Sequence, residues 1–192
     1  MRKLETQIVD LDLHDKDRIQ QVTHLLFSGF REHNPNGWPD LPSARREVKA
    51  SLRKGHISLV AIDKAGKVVG WISGNNRTYQ GFVWELHPLV VDPDYHRRGI
   101  GTALERAFEQ RVIENGGRTI WLGADDEDNM TSISGIDLYP DVLDHLSQIK
   151  NIKGHPFEFY QKLGFVIIGA LPDADGPGKP DIFMAKKLFL KT

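Results

Sequence analysis

Three short stretches of this chain hold side chains placed densely enough to do chemistry. The first, LGADDEDNMTS from Leu122 to Ser132, sets Asp125, Asp126, Glu127 and Asp128 in a row. Neighbouring carboxylates either point into water as a solvated loop or together hold a cation. The second, VVDPDYHRRGIGTALERAF, runs from a strand through Asp92-Pro93 into a helix whose first turn contains Gly99 and Gly101. A helix N-terminus offers unpaired N–H groups and the positive end of the dipole, and glycine lets an anion come close. This turn therefore reads as a phosphate cradle or, more plainly, as a tight corner. It is neither of the two common phosphate loops: G-x-x-x-x-G-K-[ST] is absent, and no third glycine follows Gly101 at the G-x-G-x-x-G spacing. The third is the pair Glu85 and His87, two apart and so on one side of a regular strand.

Composition limits the rest. The 192 residues suit one domain of ordinary size with a core of its own. With 25 basic and 26 acidic residues, no global field draws the chain to nucleic acid or an anionic membrane, and RRG is too short to be a basic stripe. Cysteine is absent, which excludes a thiolate nucleophile, a disulfide framework and cysteine-ligated metal; no metal site is expected. No apolar run approaches the roughly 20 residues of a membrane span, nor does the start resemble a signal peptide, so a cytoplasmic protein is expected.

The elements that must carry these residues follow from periodicity. Leu4 to Leu11 reads as a strand, and Ile19, Val22, Leu26 and Phe30 as one face of a helix. After the Pro-rich loop HNPNGWPDLP, Ser43 caps a second helix with Ala44, Val48 and Leu52 on one face. HISLVAIDKAGKVVGWISG reads as a hairpin turning at Lys64-Ala65-Gly66, and FVWELHPLVV as the next strand. Ala103, Leu104, Ala107, Phe108 and Val112 define a helix ended by Asn115-Gly116-Gly117. RTIWLGA is a fifth strand. Val142, Leu143, Leu146 and Ile149 form a further helical face, and PFEFYQKLGF a short helix stopped by Gly164 before the strands FVIIGAL and DIFMAKKL. The order gives an α/β (α+β) fold with a single mixed sheet and helices on its faces.

HRRGIGTAL resembles the pyrophosphate-binding motif of the GNAT superfamily of N-acetyltransferases, and FYQKLGF resembles its other signature, an aromatic-Tyr-x-x-x-Gly-Phe segment. WELHPLVVDP, LGADDEDNMTS, LYPDV, HPFEFYQKLGFVIIG and PDADGPGKPDIFMAK together are similar to the aminoglycoside 6'-N-acetyltransferases. The resemblance implies the GNAT fold over residues 1–192, a splayed six- to seven-stranded sheet, with an inserted helical segment at about 133–155. It implies acetyl-CoA as cosubstrate, bound by Leu89, Val90, Val91, His96, Arg97, Arg98, Gly99, Ile100, Gly101 and Thr102. His96 departs from the usual Gln or Arg, and Lys153 stands where relatives carry an Asn. Pro88 removes a ladder donor in the middle of its strand and fits a bulge, with the N–H groups of Leu89 and Val90 directed at the thioester carbonyl.

On this reading Tyr160 is the general acid for the departing thiolate, and Glu85 or His87 is the base, directly or through a water. A histidine titrates nearer neutral pH and a glutamate needs burial; Glu85 is favoured as the substrate-side carboxylate. The acceptor is expected to be a cationic small molecule, an aminoglycoside, held by Trp38, Glu85, Asp125, Asp126, Glu127, Asp128 and Asp144. Asp126 is the leading contact among them. Asp137, Asp141 and His145 lie in the same insertion as Asp144. Trp71, Tyr79 and Trp84 either offer faces to sugar rings or pack in the core. Two rivals stay open: the same catalyst acting on a polyamine, peptide or protein amine, and a non-catalytic acetyl-CoA-binding regulatory module. Family habit adds a homodimer.

Overall fold

A computed structural model describes residues 6–32, 34–76 and 81–189. The expected strand residues Leu4 and Glu5, and Tyr79, lie outside them. The strands follow the order β1-β2-β3-β4-β5-β7-β6 in one mixed seven-stranded sheet that does not close. By internal contacts the chain forms two compact units, Met1–Ile120 with Leu188–Thr192, and Trp121–Lys187. Among the described residues no helix is long and apolar enough to cross a membrane.

In the first unit β1 (Gln7–Asp10), β2 (His56–Ile62), β3 (Val68–Asn75) and β4 (Val83–Val91) form an antiparallel series. One face is covered by α1 (Lys16–Phe30) and α2 (Leu41–Ala50), whose Val22, Leu26, Ala44 and Val48 are fully buried with Val60 and Trp71. Trp71 donates its indole N–H to Ser58 Oγ at 2.9 Å, so this core tryptophan has its polar atom satisfied and no ring face to offer a sugar. The other face is covered by α3 (Ile100–Glu114), with Leu104, Phe108 and Val112 fully buried. Gly70 and Gly74 let that helix sit close: a Cβ on Gly74 would stand 2.3 Å from Phe108.

Ser43 does not cap α2. The cap is Asp40, whose carboxylate accepts from Ser43 N at 2.7 Å while Ser43 Oγ accepts from Asp40 N at 3.3 Å. Ser43 is thus the third residue of a reciprocal capping box, and Pro42 fits the first turn because its missing N–H has no partner there anyway.

The strand β4 carries the bulge expected at Pro88. Ile72 pairs with Leu89 and Gly74 with Leu86, so His87 and Pro88 together oppose Ser73 alone. Upstream of this point Trp84 lies against Gly117 and Val112 on the α3 side. Downstream, the residue of the same parity, Val90, lies against Gly29 of α1.

In the second unit the residues of β5 (Thr119–Asp125) from Trp121 onward are followed by α4 (Val142–Ser147), α5 (Phe157–Lys162), β6 (Val166–Leu171) and β7 (Asp181–Lys187). Leu122, Ile133, Phe157, Phe165, Ile182 and Met184 form its interior. The α4 helix stops short of Ile149, and Leu143 is exposed while Leu146 is buried. Its expected apolar face is therefore only partly used, because Asn151 bridges back to Thr131 and draws the chain away from the helix axis.

Candidate functional site

The glycine-rich turn has the geometry of an anion cradle. After β4, Asp92 accepts from Asp94 N at 3.1 Å and starts a single tight turn, Pro93–Tyr95. Arg97 then takes φ 58° and Gly99 φ 81°, and α3 begins with no side chain capping its first N–H groups. Apart from its two chain neighbours, no described residue lies within 4 Å of where a Gly99 Cβ would stand, so the approach is open. His96, itself exposed, folds back along this turn: its Nε2–H donates to Val91 O at 2.8 Å. It braces the corner, which leaves Arg97 and Arg98 as the exposed charges. Arg98 lies 5.2 Å over the Tyr95 ring, and Tyr95 donates to Asp63 at 3.0 Å. Lys67 bonds Asp92 at 2.8 Å, and that bond raises the lysine's pKa.

Glu85 and His87 share the α1/α2 face of β4. The Glu85 carboxylate is partly buried and accepts from Asn75 Nδ2 at 3.4 Å. His87 is exposed, its ring 5.7 Å from that of Trp38, which meets Phe30 edge-on at 4.9 Å. Trp38 therefore lies beside His87, and Glu85 stands two residues before it on the same side of β4. Trp84 is only 2 % exposed and, like Trp71, belongs to the core.

In the second unit the acidic run is not uniform. Asp126, expected to be the contact residue, is fully buried. Its Oδ1 accepts from Met130 N at 2.6 Å and its Oδ2 from Thr131 N at 2.9 Å and Thr131 Oγ1 at 2.6 Å. This carboxylate spends its acceptors on closing the turn, so Asp126 is not free to meet a ligand as expected. Asp125 and Glu127 instead meet Asp175, one carboxylate oxygen of each lying within 4.8 Å of the others, a grouping able to hold a cation. Asp181, at the start of β7, joins them: burial pushes its carboxyl up to about 7, with Asp125 and Asp175 adding to the shift. Glu127 and Asp175 are also raised, first by burial and then by their acidic neighbours. Gly123 leaves the space for Asp181, since a Cβ there would stand 2.4 Å from its Oδ2. Asp128 is exposed, and Asp144 stands exposed on α4 outside the converging group. Asp175 and Asp181 lie far along the chain from the run and had no local signal beyond the Asp-rich PDADGPGKPD loop.

The signature around Tyr160 has a backbone explanation. Phe165 N donates to Tyr160 O at 3.1 Å and Gly164 N to Gln161 O at 3.0 Å, with Gly164 at φ 92°. These two bonds, one to each of two successive carbonyls, define a Schellman ending, which places the glycine four residues and the apolar residue five residues after Tyr160. The Tyr160 and Phe165 rings meet at 5.5 Å, the apolar contact such an ending uses. The half-buried Tyr160 is thus fixed on the last turn of α5.

An open helix N-terminus thus follows a bulged strand on an open mixed sheet. Residues 19–139 match the acetyltransferase (GNAT) family, and this chain belongs to it. A crystal structure of an aminoglycoside 6'-N-acetyltransferase complexed with coenzyme A is 36% identical, covers 97% of this chain and 99% of its own, and superposes with a TM-score of 0.87. An aminoglycoside 6'-N-acetyltransferase from Enterococcus faecium is 37% identical over the same shares, with a TM-score of 0.85. An uncharacterized N-acetyltransferase of Methanocaldococcus jannaschii is 27% identical over 121 residues, 58% of this chain and 52% of that protein. The chain spans about half the length of the curated relatives it matches. Acetyltransferases of this family use acetyl-CoA as cosubstrate. The open Gly99 turn and the uncapped start of α3 fit the pyrophosphate of that cosubstrate.

Proposed function

We propose that this enzyme acetylates the 6'-amine of an aminoglycoside. The observation that carries the reading is the convergence of Asp125, Glu127 and Asp175, with Asp181 held near its titration point beside them. These carboxylates raise one another's pKa against the opposing pull of Lys179, and a polyamine sugar supplies several further ammonium groups to offset them. The similarity to two aminoglycoside 6'-N-acetyltransferases supports the same acceptor.

An ammonium has no lone pair, so the amine must first lose a proton. Glu85 holds the substrate amine, and either it or His87 receives that proton, directly or through a water. The nitrogen then bonds to the acetyl carbon and sheds its second proton, which passes through water to restore the phenol of Tyr160, and the carbon–sulfur bond breaks. The backbone N–H of Leu89, which points away from β3, donates to the thioester oxygen as charge builds on it, whereas Val90 N–H faces Trp71 in the β3 ladder. Tyr160 gives its phenolic proton to the sulfur that leaves. Leu89 to Val91 pair with the cosubstrate arm, Arg97 to Thr102 take its phosphates, and Trp38 packs on the acceptor.

Release of CoA from acetyl-CoA over a panel of kanamycin, tobramycin, spermidine and lysine-bearing peptides tests the assignment. Turnover with the aminoglycosides at a kcat/KM at least tenfold above the others is expected. Preference for spermidine or a peptide overturns the acceptor while keeping the chemistry, and saturable acetyl-CoA binding without CoA release for any amine overturns the chemistry.

A further inference from the structure

Among the buried polar side chains of the second unit, His155 joins two separate elements. It is 2 % exposed. Its Nε2 lies 3.1 Å from Asp125 O, and its Nδ1 accepts from Phe157 N at 3.1 Å. A carbonyl oxygen can only accept, so Nε2 carries the hydrogen and the ring is the neutral tautomer. Burial disfavours its protonated form most strongly, against the opposing pull of Asp125 and Asp126. The main chain of the same residue is fixed on both sides by Asn151, whose Oδ1 accepts from His155 N at 2.7 Å and whose Nδ2 donates to His155 O at 2.9 Å.

The two atoms this ring joins belong to the two working parts of the unit. Asp125 is the last residue of β5 and the first of the converging carboxylates. Phe157 is the first residue of α5, which Pro156 cannot cap, having no side-chain acceptor; the imidazole supplies the missing one. Tyr160 stands one turn further on.

We propose that His155 is a positioning residue for acetyl transfer, its ring fixing the end of β5 that bears Asp125 against the first turn of the helix that bears Tyr160. The inference rests on the general-acid reading of Tyr160 and the cation-holding reading of Asp125. The Nδ1 link serves Tyr160 and so kcat; the Nε2 link serves Asp125 and so the acceptor KM.

The two links separate by substitution. In His155→Asn the side-chain oxygen occupies the place of Nδ1 and keeps the bond from Phe157, while nothing reaches Asp125. In His155→Gln the amide nitrogen occupies the place of Nε2 and keeps the bond to Asp125 instead. With tobramycin as acceptor, His155→Asn should keep kcat within a factor of about three and raise the acceptor KM about tenfold, and His155→Gln should do the reverse. The acetyl-CoA KM should stay put in both. His155→Phe, which has neither link, should lose kcat about tenfold or more, and should cost nothing further once Tyr160→Phe has removed the acid.

Thermal unfolding of each variant is measured alongside. Losses of kcat and KM that move together in all three variants, in proportion to their melting temperatures, overturn the inference. Equal fold-losses on adding His155→Phe to wild type and to a slowed Tyr160→Phe enzyme also overturn it. A Tyr160→Phe enzyme with wild-type kcat overturns the general-acid reading itself, and the positioning of that acid with it.

Discussion

A carboxylic acid poised near neutrality reports on the charge around it, and Asp181 is pushed up to about 7, first by burial and then by Asp125 and Asp175. Its folded-state pKa lies above the ordinary value of 3.8. The folded protein therefore holds a proton there that the unfolded chain has given up, and this contribution to stability declines as pH rises through 4 toward 7. A bound cation has the opposite preference, since only the ionised carboxylate attracts it. Acceptor affinity is thus expected to strengthen as pH rises through about 7, until the acceptor's own amines lose their protons. Asp181→Asn should flatten that dependence, weaken tobramycin binding above neutral pH, and raise the melting temperature at pH 8. An unchanged pH profile of the acceptor KM counts against Asp181 as part of the cation wall. Asp126 makes the contrasting case: same residue type, next to Asp125, but fully buried and bonded to Met130 and Thr131. The run of acids was legible as a unit, but which acids face outward depends on how the turn closes. Sequence adjacency does not encode that.

Among the elements, α5 is six residues long, too short to persist without support at both ends. His155 supports its start and the Schellman ending its finish. Gly164→Ala forces an L-residue to φ 92°, costing about 1–2 kcal/mol. Calorimetry should show the lower melting temperature, and kcat should fall by more than acetyl-CoA affinity does, because the residue displaced is Tyr160. If kcat holds while stability falls, the ending is structural alone. The same motif explains what the sequence revealed here. Tyr160, Gly164 and Phe165 are close in the chain and their bonds are local, so their spacing could be read directly. Gly66 and Gly99 were readable for the same reason, each at positive φ in its turn. Asp175 and Asp181 were not, because β7 lies beside β5 only through long-range pairing. The Asp40 cap was missed for another reason: Ser43 is also a good cap, and only the position of Pro42 decides between the two.

For the whole molecule, ligand binding and stability are linked. Anything that binds the folded chain alone stabilises it, so acetyl-CoA at about 100 times its Kd should add about 2.7 kcal/mol. A Gly99→Val variant should lose most of that gain, since the open approach at the cradle closes and a β-branched residue is held at φ 81°. Thermal shift measured with and without acetyl-CoA checks this, and an undiminished shift removes the cradle from its assigned place. The bulge in β4 has a separate consequence, for which changes the strand can accept. Its working side depends on how many residues it has and less on which they are. With Pro88 deleted, His87 would face Ser73 alone and the strand would run in even steps. If Val90 kept its place against α1, Trp84 would be turned out of its site beside Gly117, and Glu85 would be carried toward Phe108 and Val112. Pro88→Ala keeps the count and should fold and turn over. Deletion of Pro88 should give insoluble or unfolded protein by circular dichroism, so a one-residue loss here does more damage than any single exchange of side chain on the same strand.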